Sequence, residues 1–145
     1  MKILIFGLPG AGKTWLAQRL YQMLDNCAWF NADKIREMAN DWDFSPEGRL
    51  RQATRMKNIA DFEKENNRWV ICDFVCPTQH TRDIFDPDFR IWVDTISEGR
   101  FADTNKMFEI PSMFDYHVNH WYNDTEIESL AEHIKEVEEY NNGRS

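Results

Sequence analysis

Apolar residues in this chain come in short blocks whose spacing switches between that of strands and that of helices. Residues 2–6 (KILIF) form a brief apolar run that stops at Gly7, as a strand buried on both faces would. Over 13–24 the spacing becomes helical, with Leu16, Leu20 and Leu24 four apart, before Asp25 and Asn26 break it. Residues 28–31 read as a second strand and 33–40 as a short helix. Ser45, Pro46 and Glu47 carry the N-cap and first-turn proline of a further helix that runs into the 60s. The strongest strand signal is 69–75 (WVICDFV), closed by Pro77; the next is 89–93 (FRIWV), closed by Asp94 and Thr95. Residues 97–112 are polar and without a clear period, so they read as a long loop or lid with short helical pieces. A last strand is expected over 116–118. A charged terminal helix follows over 125–140, with Ile127, Leu130, Ile134 and Val137 on one face.

Strands that alternate with helices predict an α/β chain: a parallel sheet of roughly five strands between helical layers, three layers in all. No repeat, low-complexity linker or boundary divides residues 1–145, so one domain is expected. The chain is 42% hydrophobic, and its six Trp and ten Phe predict an aromatic-rich core that includes Trp69 and Trp92. No run approaches the roughly eighteen apolar residues of a membrane helix. Lys2 is followed by only four apolar residues before the glycines begin, too few for a signal sequence, so a cytoplasmic protein is expected. Cys27, Cys72 and Cys76 then read as reduced thiols, and their spacing fits no zinc pattern. His117 and His120 would face opposite sides of a strand, which argues against joint metal ligation.

The net charge of −8, from 25 acidic and 17 basic residues, disfavours a nucleic-acid partner, because duplex binding rewards the neutralisation of many phosphates. A small anionic substrate stays open if basic side chains converge on one cleft. A homodimer stays open beside a monomer.

The chemistry begins at Gly7-Leu8-Pro9-Gly10-Ala11-Gly12-Lys13-Thr14, which fits G-x-x-x-x-G-K-[ST] at every fixed position. Glycines let backbone N–H groups turn inward around an anion, and the helix that follows adds its positive end. Lys13 reaches terminal phosphates and the Thr14 hydroxyl takes Mg²⁺, so ATP with Mg²⁺ is the expected ligand. The rest of the chain selects among P-loop proteins. The N-K-x-D guanine-reading element of GTPases is absent from the sequence. Small kinases instead hold an acid at the end of the second strand, where it can take the proton of the acceptor hydroxyl. Asp33 stands there, with Arg36 three residues on. A helix N-cap is the plainer alternative for Asp33. Arg49, Gln52 and Arg55, at spacings of three, make one polar helix face that suits an anion clamp beside such a loop.

Asn31-Ala32-Asp33-Lys34-Ile35-Arg36, then Asp43-Phe44-Ser45, then Arg49, Gln52 and Arg55 resemble the adenylylsulfate kinase family, which reads D-G-D-x-x-R, G-F-S and D-R-x-x-N-x-x-R. Cys76-Pro77 with Arg82-Asp83 looks like its S-P-x-x-x-x-R-D, and Trp92-Val93-Asp94-Thr95 is similar to its F-V-D-T. The likeness covers about residues 1–95 and implies a P-loop kinase fold. It implies Asp33 as the base, Arg36, Arg49 and Gln52 around an adenylylsulfate, and Phe44 as its adenine-stacking face. Arg100 and Lys106 would then be lid cations, toward ATP and toward the acceptor respectively. The departures are Asn31 for the first acid, Ala32 for the glycine, Gln52 for the asparagine and Cys76 for the serine. The lid motif is absent, and the short chain is similar to compact versions of the family in bacteriophage genomes. Two rivals follow: a related kinase for a nucleoside, a modified DNA base or a sugar, and a non-catalytic nucleotide-binding module.

Overall fold

The computed structural model describes residues 1–143. In chain order its elements are β1 (Lys2–Phe6), α1 (Lys13–Met23), β2 (Cys27–Asn31), α2 (Ala32–Ala39), α3 (Pro46–Glu65) and β3 (Trp69–Asp73). They continue with α4 (Gln79–Phe85), β4 (Phe89–Val93), α5 (Ala102–Met107), β5 (Tyr116–Val118) and α6 (Asp124–Gly143). The five strands form one parallel sheet in the order β2-β3-β1-β4-β5. The first strand therefore lies in the middle. β2 and β3 lie to one side of it and β4 and β5 to the other, and that reversal opens a crevice at the carboxyl edge, where such sheets bind ligands.

Helices cover both faces, as the alternation of elements predicts. On one face α1 and α6 seat Leu16, Leu20, Ile127, Leu130 and Ile134 against Ile3, Ile5 and Ile91. On the other, Ala53, Met56 and Ala60 of α3 and Phe85 of α4 pack on Leu4, Phe6 and Val70. The core is more aliphatic than the composition suggests. Phe6, Phe85 and Phe89 are fully enclosed, but Trp69 and Trp92 are only half-buried, and Trp42 and Trp121 are exposed. Indole carries a polar N–H, so tryptophan tends to stand where one end of the ring can reach a partner. No helix among the described residues is long and apolar enough to cross a membrane.

One buried cation ties the far end of the lid segment to the rest. Arg82, only 1% exposed, donates from Nε to the Cys76 carbonyl at 2.9 Å and from Nη2 to the carbonyls of Pro77 at 3.1 Å and Glu109 at 2.7 Å. Its guanidinium lies over the rings of Phe6 and Phe108. Arg82→Met fills the same space but leaves the Cys76 and Glu109 carbonyls without that donor. We expect a loss of about 1–3 kcal/mol in urea unfolding, as one buried acceptor, the Cys76 carbonyl, stripped of its partner would cost.

Candidate functional site

The loop between β1 and α1 is shaped by contacts that exclude side chains. A Cβ at Gly7 would stand 2.3 Å from the Val93 carbonyl oxygen, so only glycine lets the chain leave the sheet beside β4. Gly12 adopts φ +98°, and a Cβ there would meet the Trp121 ring at 2.3 Å. Thr95 donates to the Ala11 carbonyl at 2.6 Å and fixes the loop from the end of β4. No side chain caps the start of α1 and no acid sits in its first turn. The first amides of α1 are thus left without a side-chain partner, as an anion-binding helix start requires.

Lys13 is buried and its ammonium donates to the Leu8 carbonyl at 2.9 Å. Burial pushes its pKa down to about 8; Asp73 and Asp33 pull it up, and Arg100 pushes it further down. Four ionisable groups from four parts of the chain therefore share one electrostatic site. Thr14, exposed, presents its hydroxyl at the base of the loop. Hydroxyl oxygen is a hard donor of the kind Mg²⁺ accepts.

Asp33 lies in the first turn of α2. Capping does not account for it, because the N-cap is Asn31, whose Oδ1 accepts from the Lys34 amide at 3.1 Å. The Asp33 carboxylate is exposed and, among the described residues, makes no hydrogen bond or ion pair. It is thus free to meet a hydroxyl from outside.

Beyond it stands an arginine-aromatic group. Arg36 is buried, and its Nη1 holds the carbonyls of Asp41 at 2.9 Å and Asp43 at 3.2 Å. Its guanidinium carbon is 4.3 Å from the centre of the Phe44 ring. Arg49 reaches the same ring at 5.4 Å and donates from Nε to the Phe44 carbonyl. Its Nη2 crosses to the Thr104 hydroxyl on the lid helix α5 at 3.0 Å. Burial pushes both guanidinium pKa values down; at Arg36 nearby Asp41 opposes this, while Arg49 and Arg55 add to it. Positive charge is thus crowded at one place in an acidic protein, which suits an anion.

Gln52 and Arg55 are brought to this group but turn inward. The buried Gln52 amide donates to the Ala32 carbonyl at 3.0 Å and accepts from Arg55, which also pairs with Asp41 at 2.8 Å. Gln52 thereby braces the start of α2, the turn that carries Asp33. In the lid, the Asn105 side chain bonds both the amide and the carbonyl of Gly99. Gly99 in turn lies against Pro9 of the loop. Arg100 and Lys106 are both exposed.

His117 lies on β5, but His120 lies beyond the end of that strand, so the loop and not strand alternation separates them. His117 stacks on Trp92 at 4.3 Å and bonds Asp94 at 2.9 Å, whereas His120 bonds Asn119 and Glu126.

Sequence reasoning does not name Asp73, yet it lies at the centre of the site. It ends β3, is only 2% exposed, and accepts from Thr14 Oγ1 at 2.8 Å, Trp29 Nε1 at 2.7 Å and Asn31 Nδ2 at 3.0 Å. The available signal was an acid closing an apolar strand at the carboxyl edge.

The comparisons with known proteins bear on this arrangement. The family model described as adenylylsulphate kinase matches residues 1–93. The chain belongs to the adenylylsulphate kinase family. It is 33% identical over 87 residues to a probable adenylyl-sulfate kinase of Aeropyrum pernix, covering 54% of this chain and 45% of that protein. It is 30% identical over 73 residues to the cytidine diphosphoramidate kinase of Campylobacter jejuni, covering 48% and 43%. The matched segment thus spans less than half the length of either relative. Among solved structures, the Mycobacterium tuberculosis APS kinase in complex with AMPPNP and APS superposes with a TM-score of 0.76 at 17% identity, covering 95% and 97%. Shikimate kinase from Aquifex aeolicus gives 0.63 at 14% identity, covering 97% and 98%. Identities this low establish the P-loop kinase fold, to which the sheet and its flanking helices conform.

Proposed function

We propose that this family member is an ATP- and Mg²⁺-dependent kinase that transfers the γ-phosphoryl group to a hydroxyl of a small anionic, nucleotide-like acceptor, with adenylylsulfate the first candidate. The observation that carries the reading is Asp33: an unpaired carboxylate near enough to Lys13 to act on its charge, with the Arg36, Phe44 and Arg49 group beyond it.

Each residue then has a task. The loop amides from Gly7 to Thr14 and the Lys13 ammonium hold the phosphates, and Arg100 covers them from the lid. The Thr14 hydroxyl would hold Mg²⁺, which when bound screens phosphate charge and orients the terminal group. Arg36 and Arg49 bind acceptor oxyanions, Phe44 offers a stacking face, and Lys106 approaches from α5. Asp33 accepts the proton of the acceptor hydroxyl as its oxygen bonds to the γ-phosphorus. The bond from that phosphorus to the β–γ bridging oxygen breaks, and ADP leaves. Lys13 stays beside the oxygens on which charge collects, and most of the rate gain would come from this positioning and charge stabilisation.

A second acceptor class rests on a specific observation, the 30% identity to a cytidine diphosphoramidate kinase. A pyrimidine diphosphate derivative would use the same arginines and the same ring. The discriminating assay follows ADP release with adenylylsulfate, cytidine diphosphoramidate, nucleosides, sugars and modified DNA. Turnover confined to an acceptor without adenine would remove adenylylsulfate and leave the kinase in place. Absence of ADP release with every acceptor, despite tight ATP binding, would favour a nucleotide-binding module.

With the turnover acceptor in hand, Phe44→Ala should raise its KM about five- to tenfold and leave the KM for ATP unchanged. A stacking contact serves ground and transition states alike, so its loss falls on KM. An unchanged acceptor KM would place the base elsewhere.

A further inference from the structure

The arginines around the candidate acceptor site are held in two different ways. Arg51 and Arg55 both pair with the Asp41 carboxylate, at 2.7 and 2.8 Å, so their charge is largely answered within the chain. Arg49 pairs with no carboxylate among the described residues and is held by neutral oxygens alone. Its Nε donates to the Phe44 carbonyl and its Nη2 to the Thr104 hydroxyl, each at 3.0 Å. Thr104 stands 55 residues further along the chain, on the lid helix α5, so nothing local to α3 accounts for the contact. Thr104 is itself well anchored. It is only 5% exposed, too enclosed to meet an acceptor directly, and its carbonyl accepts from the Phe108 amide at 3.0 Å. The next residue, Asn105, clasps both the amide and the carbonyl of Gly99, at 2.8 and 3.1 Å. A Cβ at Gly99 would stand 3.1 Å from the Pro9 carbonyl oxygen, so this part of the lid rests against the nucleotide loop.

We infer that Thr104 is a positioning residue of the acceptor site, whose hydroxyl fixes the Arg49 guanidinium so that its open edge meets an oxyanion of the acceptor. The inference rests on the proposed kinase reading, in which Arg49 binds acceptor oxyanions, and it names how the lid contributes to that site. Nε and one hydrogen of Nη2 are taken on one edge of the guanidinium. Nη1 makes no hydrogen bond among the described residues, and the edge it forms with the second hydrogen of Nη2 suits two oxygens of a sulfate or phosphate group. An arginine free along its whole stem loses much rotamer freedom when it grips an anion. Bonds already made at Nε and Nη2 set the plane of the fork beforehand, so less is lost when the acceptor arrives. Both bonds are needed for this. The Phe44 carbonyl alone would leave the guanidinium free to swing about one contact. A carboxylate at position 104 would also hold the fork, but it would cancel the charge that the acceptor must find. A hydroxyl holds it and leaves the charge in place.

The experiment uses the whole chain with ATP and Mg²⁺, and adenylylsulfate and cytidine diphosphoramidate serve as acceptor probes. Thr104→Val keeps the shape of the side chain and loses the hydroxyl. It should raise the acceptor KM about tenfold, as loss of one hydrogen bond to a charged group does, with kcat and the KM for ATP within about twofold. Thr104→Ser keeps the hydroxyl and gives up the methyl group, and its acceptor KM should stay within about threefold of the wild type. A merely structural role would reverse that order, because the enclosed methyl would then count for more than the hydroxyl. Arg49→Ala should raise the acceptor KM about a hundredfold. Thr104→Val should add nothing further in that background, since it acts only through Arg49. Hydrogen exchange of the Asn105 and Phe108 amides, followed by NMR in the chain without ligands, should quicken about fivefold in Thr104→Val and in Arg49→Ala alike. Equal acceptor KM in the wild type and in Thr104→Val would overturn the assignment. A tenfold effect of Thr104→Val in a chain already lacking Arg49 would do so too, as would exchange indifferent to both substitutions. No turnover of either probe by the wild type would remove the nucleotide-like acceptor from the proposed reading, and this inference with it. Turnover that ignores Thr104 would bring down this inference alone.

Discussion

Lys13→Ala should lower phosphoryl transfer by on the order of a thousandfold and weaken triphosphate binding, while the fold stays intact. The loss follows from what the ammonium would do: it is buried and bonded within the loop, where charge on transferring oxygens is poorly screened. The tolerance follows from what it does in the folded chain. Its one hydrogen bond is to the Leu8 carbonyl, and that carbonyl keeps the Ala11 amide at 3.1 Å when Lys13 is gone. Alanine is also the better residue for the first turn of α1. Burial lowers the Lys13 pKa from 10.5 to about 8, so between those values the unfolded chain holds a proton that the folded chain has released. Wild-type stability should therefore rise with pH across that window, and Lys13→Ala should lack the rise. Affinity for the triphosphate runs the other way: it should fall as pH climbs through about 8, because an uncharged amine no longer attracts phosphate. Thermal unfolding from pH 7 to 10 and a nucleotide titration at both ends check the two signs. Full turnover in the Lys13→Ala chain would take the loop out of the mechanism.

The parts of the molecule that could be read from its sequence are those fixed by local chemistry. The strand, glycine loop and helix from Lys2 to Met23 follow from an apolar run, a loop that tolerates no side chain at two points, and leucines at helical spacing. The individual strand segments and the helix starting at Pro46 are equally local in origin, whereas the parallel pairing follows from the alternation of strands with helices. Asp73 was hidden because WVICDFV looks like one continuous strand with a polar interruption. The strand in fact ends at Asp73, and Cys76 turns the chain with φ +45°, so the acid stands at the edge that faces the ligand. Residues 49, 52 and 55 look like one polar face, but steps of three on a helix of 3.6 residues per turn drift by about 60° each. The middle residue, Gln52, consequently faces the fold and braces α2, while Arg49 swings toward the lid. The lid helix α5 spans only Ala102–Met107, too short for any period to show.

Asp33→Asn should leave ATP affinity close to that of the wild type and lower turnover by on the order of a hundredfold or more, the usual effect of removing a positioned base. The two carboxylates of the site separate cleanly on this test. Asp73 is buried among three donors, so loss of its charge should fall on the loop threonine and the end of β2 that those donors tie together. Asp33 is exposed and, among the described residues, unpaired, so loss of its charge should fall on the acceptor hydroxyl. Structure gives little reason for Asp33→Asn to disturb the fold: Asn31 caps α2, Gln52 holds the Ala32 carbonyl, and asparagine keeps the shape of the side chain. The charge change does reach Lys13, since Asp33 is one of the two acids that hold its pKa up. Without it the ammonium should lose its proton at a lower pH. The variant's nucleotide affinity should then weaken from a slightly more acidic point than the wild type's, and comparison at pH 6.5 isolates the base from this side effect. At that pH the expected pattern is an unchanged AMPPNP titration, a small change in acceptor KM and a collapsed kcat. Nearly normal kcat at pH 6.5 would reduce Asp33 to an exposed acid in the first turn of a helix, where it merely favours the helix dipole.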